Sequence, residues 1–329
     1  MSSSSILVTG GAGYIGSHVV KKLVRAGHNV VVLDNLSTGF RQAVIDAELV
    51  VGDSGDQALV KQLLTEHNIT AVMHFAAHTI VSESVSKPLK YYANNTCNTR
   101  NLLECCQQQG VRHFIFSSTA AVYGIPEDGR CSEDSPTAPI NPYGSSKLMS
   151  EWMLRDVCHA SNMRHVTLRY FNVAGSDPEL EIGQSTHNAT LLIKVAAEAA
   201  VGKREHVAIF GTDYPTPDGT GIRDYIHVED IAEAHIKALA YLENGGESAT
   251  LNCGYGHGYS VREVLDTVNR VHGTPIKVIE QDRRAGDPPM LITETGKIGQ
   301  VLGWQPAHDD LEFIVRTSID WEKKLQTRQ

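Results

Sequence analysis

"VTGGAGYIGSHVV" (residues 8–20) closes one apolar run and opens an amphipathic one, with Gly10, Gly13 and Gly16 spaced three apart. A strand, a glycine turn and a helix in that order form a phosphate-binding turn of a dinucleotide-binding sheet. Gly10 permits the tight turn, Gly13 lets a pyrophosphate approach the backbone, and Gly16 lets helix and strand pack closely. Tyr14 and Ile15, inside the turn, belong to the same expected cofactor contact. Asp34 ends the next strand-like run, "NVVVLD". A carboxylate there accepts hydrogen bonds from an adenosine ribose and repels a 2′-phosphate, so NAD is expected rather than NADP, with Asn35 beside it. The bland alternative is a structural glycine-rich turn.

Outward from this turn the chain alternates. "SILVT" (5–9) reads as a strand, 14–26 as a helix, "NVVVLD" (29–34) and "ELVVGD" (48–53) as strands, and 56–67 as a helix. "AVMHFAA" (71–77) is a strand, 88–109 a long helix, and "HFIFSST" (113–119) a strand; a helix from Tyr143 to about 160 and "HVTLRYF" (165–171) follow. The strand runs are nearly all apolar, so both faces of the sheet should be covered. Strands separated by helices require right-handed crossovers. The expected class is therefore α/β: a Rossmann-like doubly wound parallel sheet with a smaller mixed α/β substrate-binding domain.

After Asn172, Gly, Pro and Asp become more frequent and the strands shorten ("HVAIFG", "TLNCG", "IKVIE"), while loops 173–187 and 211–224 lengthen. The division is placed there, 1–172 for the cofactor and 173–329 for the substrate. Helices are expected near 189–202, 229–243, 260–272 and 309–326, with some segments returning to the sheet. Ligands of such a sheet lie beyond the strand C-termini. Phe75 and Ala76 end the fourth strand there, and Asp53, ending the third, is placed to contact adenine. Asn94, in the following helix, reads equally as a cofactor contact or an ordinary polar helix residue.

Composition narrows the class. Against 29 Lys and Arg stand 38 Asp and Glu, a formal net charge of −9. That balance argues against a nucleic-acid partner or a polybasic membrane anchor, although a few local arginines can still dominate one pocket. The six cysteines form no CxxC pair, and adjacent Cys105 and Cys106 suit reduced thiols. "MSSSSILVTGG" has no basic segment leading into an apolar one, and no window nears the roughly 18 apolar residues of a membrane span, so a cytoplasmic protein is expected. His74 and His78 are the only close pair among fifteen histidines, without a third ligand nearby, so no metal is expected.

"NPYGSSK" (141–147) sets a phenol and an ammonium four positions apart, directly after a proline. Read alone, it is a helix start: Asn141 caps, Pro142 enters the first turn, and Tyr143 and Lys147 share one exposed face. A dinucleotide in the crevice changes that reading. The preceding strand ends in Ser117, Ser118 and Thr119, so Thr119 and Tyr143 are able to meet at one substrate hydroxyl. A phenol with its usual pKa of about 10 is a poor base at neutral pH. Lys147, one turn on, and an oxidised nicotinamide both supply positive charge that favours the phenolate. Thr119, Tyr143 and Lys147 are therefore the expected catalytic set, with Lys147 and Tyr170 also counted as cofactor contacts.

Together the glycine turn, "SSTAAVYG" (117–124) and "NPYGSSK" resemble the extended short-chain dehydrogenase/reductase superfamily. "LRYFNVAG" (168–175), "IFGTDYPTPDGTGIRDYIHVED" (209–230) and "RRAGDPP" (283–289) narrow the resemblance to the UDP-glucose 4-epimerase family, along nearly the whole chain. The resemblance implies a UDP-hexose substrate whose C4 is oxidised by bound NAD and reduced again on the opposite face, with Tyr143 as base, Lys147 as its electrostatic partner and Thr119 in place of a serine. It also implies a homodimer. Asn172 would meet the nucleotide-sugar phosphates, Arg223 and Arg284 would neutralise the pyrophosphate, Phe210 and Tyr225 would line the nucleotide pocket, and Asp287 would hold the ribose. Phe210 also reads as core, and Arg223 as the ion-pair partner of Asp224 or Asp230.

Ala120 and Ala121 stand where related dehydratases place an acid and a base, and alanine transfers no proton, so dehydration is disfavoured; so is decarboxylation, whose glutamate position is Ala121. Two departures concern binding. Thr79 replaces a lysine common in the family's phosphate region. Leu291 stands where some relatives carry a tyrosine that excludes N-acetylated sugars, so UDP-GlcNAc and UDP-GalNAc become an alternative substrate pair. The loop at 176–190 varies among relatives, and Asn188 is left unassigned. A non-catalytic dinucleotide-binding protein is the reading from a different class.

Overall fold

A computed structural model describes residues 4–187, 189–284 and 287–327. Its main sheet has seven parallel strands in the order Ala249–Cys253, Arg164–Tyr170, His113–Thr119, Ala71–His74, Ser5–Thr9, Asn29–Asp34 and Glu48–Val51. The chain builds outward from Ser5–Thr9 to Glu48–Val51, then crosses to the other side with Ala71–His74. A crevice opens at that reversal, beyond the strand ends.

The apolar runs sort by alternation within the sheet. Ile6, Val8, Val32, Met73 and Ile115 enter one core with the helices Tyr14–Arg25 and Val228–Glu243; Leu7, Val31, Leu33, Val72, Phe114 and Phe116 enter the other with Gln57–Glu66 and Asn98–Gln108. Both faces are buried, which is why the strands lack polar alternation. Caps fix the helix starts: Asp56 accepts from Ala58 and Leu59 N–H, and Ser260 and Glu263 form a reciprocal capping box.

A second, four-stranded sheet has the order Tyr259–Ser260, Ile222–Arg223, Met290–Thr293, Arg130–Cys131. Val207–Phe210 pairs with Val278–Gln281, and Asn172–Ala174 with Tyr225–His227. The chain crosses the expected division at residue 172 in both directions: Ala249–Cys253 completes the large sheet, and Arg130–Cys131 edges the small one. The helix expected over 88–109 is interrupted. Val81–Ser86 precedes it, Pro88–Tyr91 starts it, and Tyr92–Cys97 form a wide π turn before Asn98–Gln108. The extra residue of a π turn is tolerated where tertiary contacts compensate, and Asn95 supplies them. Its Oδ1 accepts from His78 N–H at 2.8 Å, and its Nδ2 donates to the His78 carbonyl at 3.0 Å and to Ser146 Oγ at 3.1 Å.

Candidate active site

The crevice is a cavity of about 630 Å³ that runs from the glycine turn to the small sheet. Gly10 has φ of +73°, and a methyl group there would lie 2.5 Å from the Ala76 nitrogen; at Gly16 it would lie 2.4 Å from the Gly10 carbonyl oxygen. Both glycines are required by the fold itself. At Gly13, a methyl group meets only the Gly10 oxygen, at 3.2 Å, and this residue opens onto the cavity. The helix Tyr14–Arg25 has no acidic residue in its first turn, so its free N–H groups present uncompensated positive potential to the cavity. A pyrophosphate fits this turn.

Asp34 is buried at the cavity edge. Its Oδ2 accepts from Ala12 N–H at 3.0 Å and its Oδ1 from Leu36 N–H at 2.8 Å; burial raises its pKa and these two bonds work against the rise. Asp53 lines the wall too, accepting from Gly55 N–H, Asn98 Nδ2 and Asn35 Nδ2. Tyr14, Ile15, Asn35, Phe75, Ala76, Asn94 and Tyr170 all reach the same cavity. Tyr14 also donates its hydroxyl proton to the Gly175 carbonyl at 2.6 Å, tying the turn to the loop after residue 174. Lys21, on the same helix, sits among Asp177, Glu179 and Glu181 at 2.5, 3.2 and 2.5 Å, and anchors that loop.

Asn141 caps the helix Pro142–His159 by accepting from Gly144 N–H at 2.9 Å, with Pro142 in its first turn. The face carrying Tyr143 and Lys147 is not exposed: Tyr143 is half-buried on the cavity wall and Lys147 is buried. The Lys147 ammonium donates to the Ser117 carbonyl at 2.7 Å and lies 4.9 Å from the Phe116 ring centre. Burial pulls its pKa down to about 7, with Glu151 acting in the opposite direction. For Tyr143 burial dominates and raises the pKa, and a hydrogen bond with Thr119 opposes it. In the protein alone, desolvation thus outweighs the acidifying hydrogen bond. Thr119 accepts from Ala121 N–H at 3.1 Å, which leaves its own proton to donate.

Beyond Tyr143 the cavity reaches Asn172, Arg223, Asp287 and Leu291. The Arg223 guanidinium donates to the Ile222 carbonyl at 2.9 Å and forms no ion pair among the described residues. Asp224 and Asp230, its alternative partners, are otherwise engaged: Asp224 accepts from Tyr255 and Gly256 N–H, and Asp230 from the Tyr255 hydroxyl and Ala307 and His308 N–H. Leu291 packs on the small cluster of Ala120, Val122, Tyr123, Cys131 and Leu148.

Three expected substrate residues stand off this wall. Tyr225 is buried in the core, paired with Asn172 across a two-strand ribbon. Phe210 ends its strand beneath the exposed Arg284 guanidinium, 3.6 Å from its ring centre. Ala285 and Gly286 of "RRAGDPP", and Asn188, lie outside the described residues. Sequence reading missed Ser37 and Thr38, which line the cavity. The signal for them is Gly39, where a methyl group would press on Ala12 at 2.9 Å, so this loop must run close to the glycine turn.

The NAD dependent epimerase/dehydratase family matches residues 6–254. The chain belongs to that family. Among members of the family, it is 54% identical over 325 residues to a UDP-glucose 4-epimerase of Azospirillum brasilense, covering 98% of this chain and 93% of that one. A UDP-glucose 4-epimerase structure from Brucella ovis, in complex with NAD, superimposes with a TM-score of 0.94 at 43% identity, over 97% of this chain and 98% of that one. The UDP-Glc/GlcNAc 4-epimerase of Campylobacter jejuni does so with a TM-score of 0.85 at 52% identity, over 98% and 99%.

Proposed function

We propose that this epimerase/dehydratase family member is an NAD-dependent UDP-glucose 4-epimerase, which interconverts UDP-galactose and UDP-glucose. The reading rests on Thr119, Tyr143 and Lys147 meeting on the same cavity as the glycine turn, with Ala120 and Ala121 offering no further acid or base. Bound NAD supplies a reversible hydride acceptor for the sugar C4. Gly10, Gly13 and Gly16 would hold its pyrophosphate, and Asp34 its adenosine ribose. Tyr143 removes the C4 hydroxyl proton and returns it after the sugar has turned over. Thr119 orients that hydroxyl, and Lys147 stabilises the phenolate. Asn172, Arg223 and Asp287 hold the nucleotide diphosphate end, so that the hexose stays free to present either face. In this reading 1–172, completed by the returning strand, serves the cofactor and 173–329 the UDP-sugar.

Leu291 favours a second reading. A leucine on the cavity wall leaves more room than a tyrosine, and a relative 52% identical is described as a UDP-Glc/GlcNAc 4-epimerase. Acceptance of UDP-GlcNAc alongside UDP-galactose follows, and UDP-GlcNAc left unconverted by an enzyme active on UDP-galactose would exclude it. No helix among the described residues is long and apolar enough to cross a membrane, in keeping with a cytoplasmic enzyme. The helices Val81–Ser86, Pro88–Tyr91 and Pro142–His159 expose Val85, Leu89, Met149 and Trp152, a face suited to a homodimer.

The deciding experiment incubates the purified protein with UDP-galactose and no added NAD, following UDP-glucose by chromatography. Conversion is expected. No conversion, repeated with NAD supplied and with UDP-GlcNAc, would overturn the reading in favour of a dinucleotide-binding protein without activity.

A further inference from the structure

Three ionic groups are buried on and against the helix that carries Tyr143: Lys147 is 3% exposed, Glu151 7% and Arg169 7%. Two basic side chains share one carboxylate, so one of them is left without an anionic partner, and geometry decides which. Arg169, on Arg164–Tyr170, takes the carboxylate in a fork, its Nε at 3.0 and 3.2 Å from the two oxygens and its Nη2 at 2.5 Å from Oε2. The Ser118 hydroxyl donates to Oε1 as well. Arg169 is itself held in place, with Nη1 donating to the Tyr123 hydroxyl at 2.9 Å and the guanidinium lying 5.0 Å from that ring centre. Tyr123 in turn donates to Asn252 Oδ1 at 2.7 Å. Lys147 is left with the Ser117 carbonyl, a neutral acceptor.

Resting on the catalytic reading above, we propose that Arg169 is a positioning residue that acts through Glu151: it holds the carboxylate away from Lys147 and so reserves the ammonium charge for the Tyr143 oxygen. A carboxylate and an ammonium four residues apart on a helix are within pairing reach. Contact between them in a buried site would cancel most of the field at the phenol. The other groups facing Lys147 cannot substitute for that charge. His74, on the neighbouring strand, has a pKa driven by burial to about 3 and is neutral; the Phe116 ring, the Ser117 carbonyl and Tyr143 carry no positive charge.

The test compares pH profiles of kcat for UDP-galactose in the wild type, Arg169→Met and the double variant E151Q/R169M, with circular dichroism and bound NAD as controls for folding. In R169M the freed Glu151 pairs with Lys147 and the phenolate loses its support. The acid limb should then move up by about one pH unit, and kcat on that limb should fall by up to about tenfold, with KM changed less than about threefold. E151Q/R169M restores the original net charge and should recover both. An unshifted limb in R169M, or a folded, NAD-loaded double variant no better than R169M, overturns the proposal. If R169M does not fold, Arg169→Gln, which is also neutral but keeps a hydrogen-bond donor for Tyr123 or Glu151, makes the same comparison against E151Q/R169Q. Tyr143→Phe is run in parallel. Activity surviving there overturns the catalytic reading and this proposal with it; an inactive Y143F beside an unshifted R169M limb overturns this proposal alone.

Discussion

At Tyr143 the phenol is pushed away from acidity by burial and toward it by Thr119, and a neighbouring ammonium is held without an anionic partner. Removing the hydroxyl removes only the proton acceptor. Tyr143→Phe is expected to lower kcat for UDP-galactose by about 10²–10⁴-fold while leaving bound NAD and the melting temperature close to wild type; turnover, absorbance and a thermal melt read the three. The residue types and spacing of Tyr143 and Lys147 were legible in the chain because four positions make one helical turn. The burial of Lys147 was not, since the strand that covers it lies 30 residues earlier. Arg169 had no sequence signal at all, because its partner Glu151 belongs to a different element.

At the scale of the element, the glycine turn separates two demands that look identical in sequence. Gly16 is crowded by the protein, whereas Gly13 has φ of −79° and faces the cavity. Gly16→Ala should overpack the turn, costing about 1–3 kcal/mol, and lose both stability and cofactor. Gly13→Ala should melt near the wild-type temperature yet purify without NAD. Thermal melts with cofactor removed, and absorbance of released cofactor, distinguish the two; G13A retaining its NAD would contradict the assignment. The main strands and helices were readable from apolar runs and caps. The π turn at Tyr92–Cys97 and the two-residue strands were not, because long-range pairing rather than local pattern creates them.

For the whole molecule, buried imidazoles govern acid stability. Burial drives the pKa of His74 to about 3, of His165 and His235 to about 4, and of His227 to about 2. Each folded value lies below the unfolded 6.5, so the unfolded chain binds more protons below that pH. The stability each group contributes is present above about 6.5 and is lost as the pH falls, by up to about 1.4 kcal/mol per unit. Asp224, raised to about 6, acts oppositely between the usual carboxylate range and that value, but four groups outweigh one. The melting temperature should fall steadily from pH 7 to pH 5, and a flat profile would contradict this. Assembly gives a second test: Leu89 and Trp152 are 79% and 47% exposed on neighbouring helices. Trp152→Glu should convert a dimer to a monomer in analytical ultracentrifugation, whereas a wild type that sediments as a monomer would rule out the dimer.

By itself the chain determined the strand–turn–helix, the acid that follows it, the alternation of apolar strands with helices and the Tyr–Lys helix. These depend on residues within a few turns of one another, where steric and hydrogen-bonding constraints act through sequence spacing. The tertiary structure alone decided which of Lys147 and Arg169 takes the Glu151 carboxylate, that Arg223 faces the cavity while Tyr225 enters the core, and that Leu291 packs on the small cluster around Tyr123 and Leu148. Each of these outcomes is a competition for burial and for charge partners between segments distant in sequence, and only the folded chain brings those competitors together.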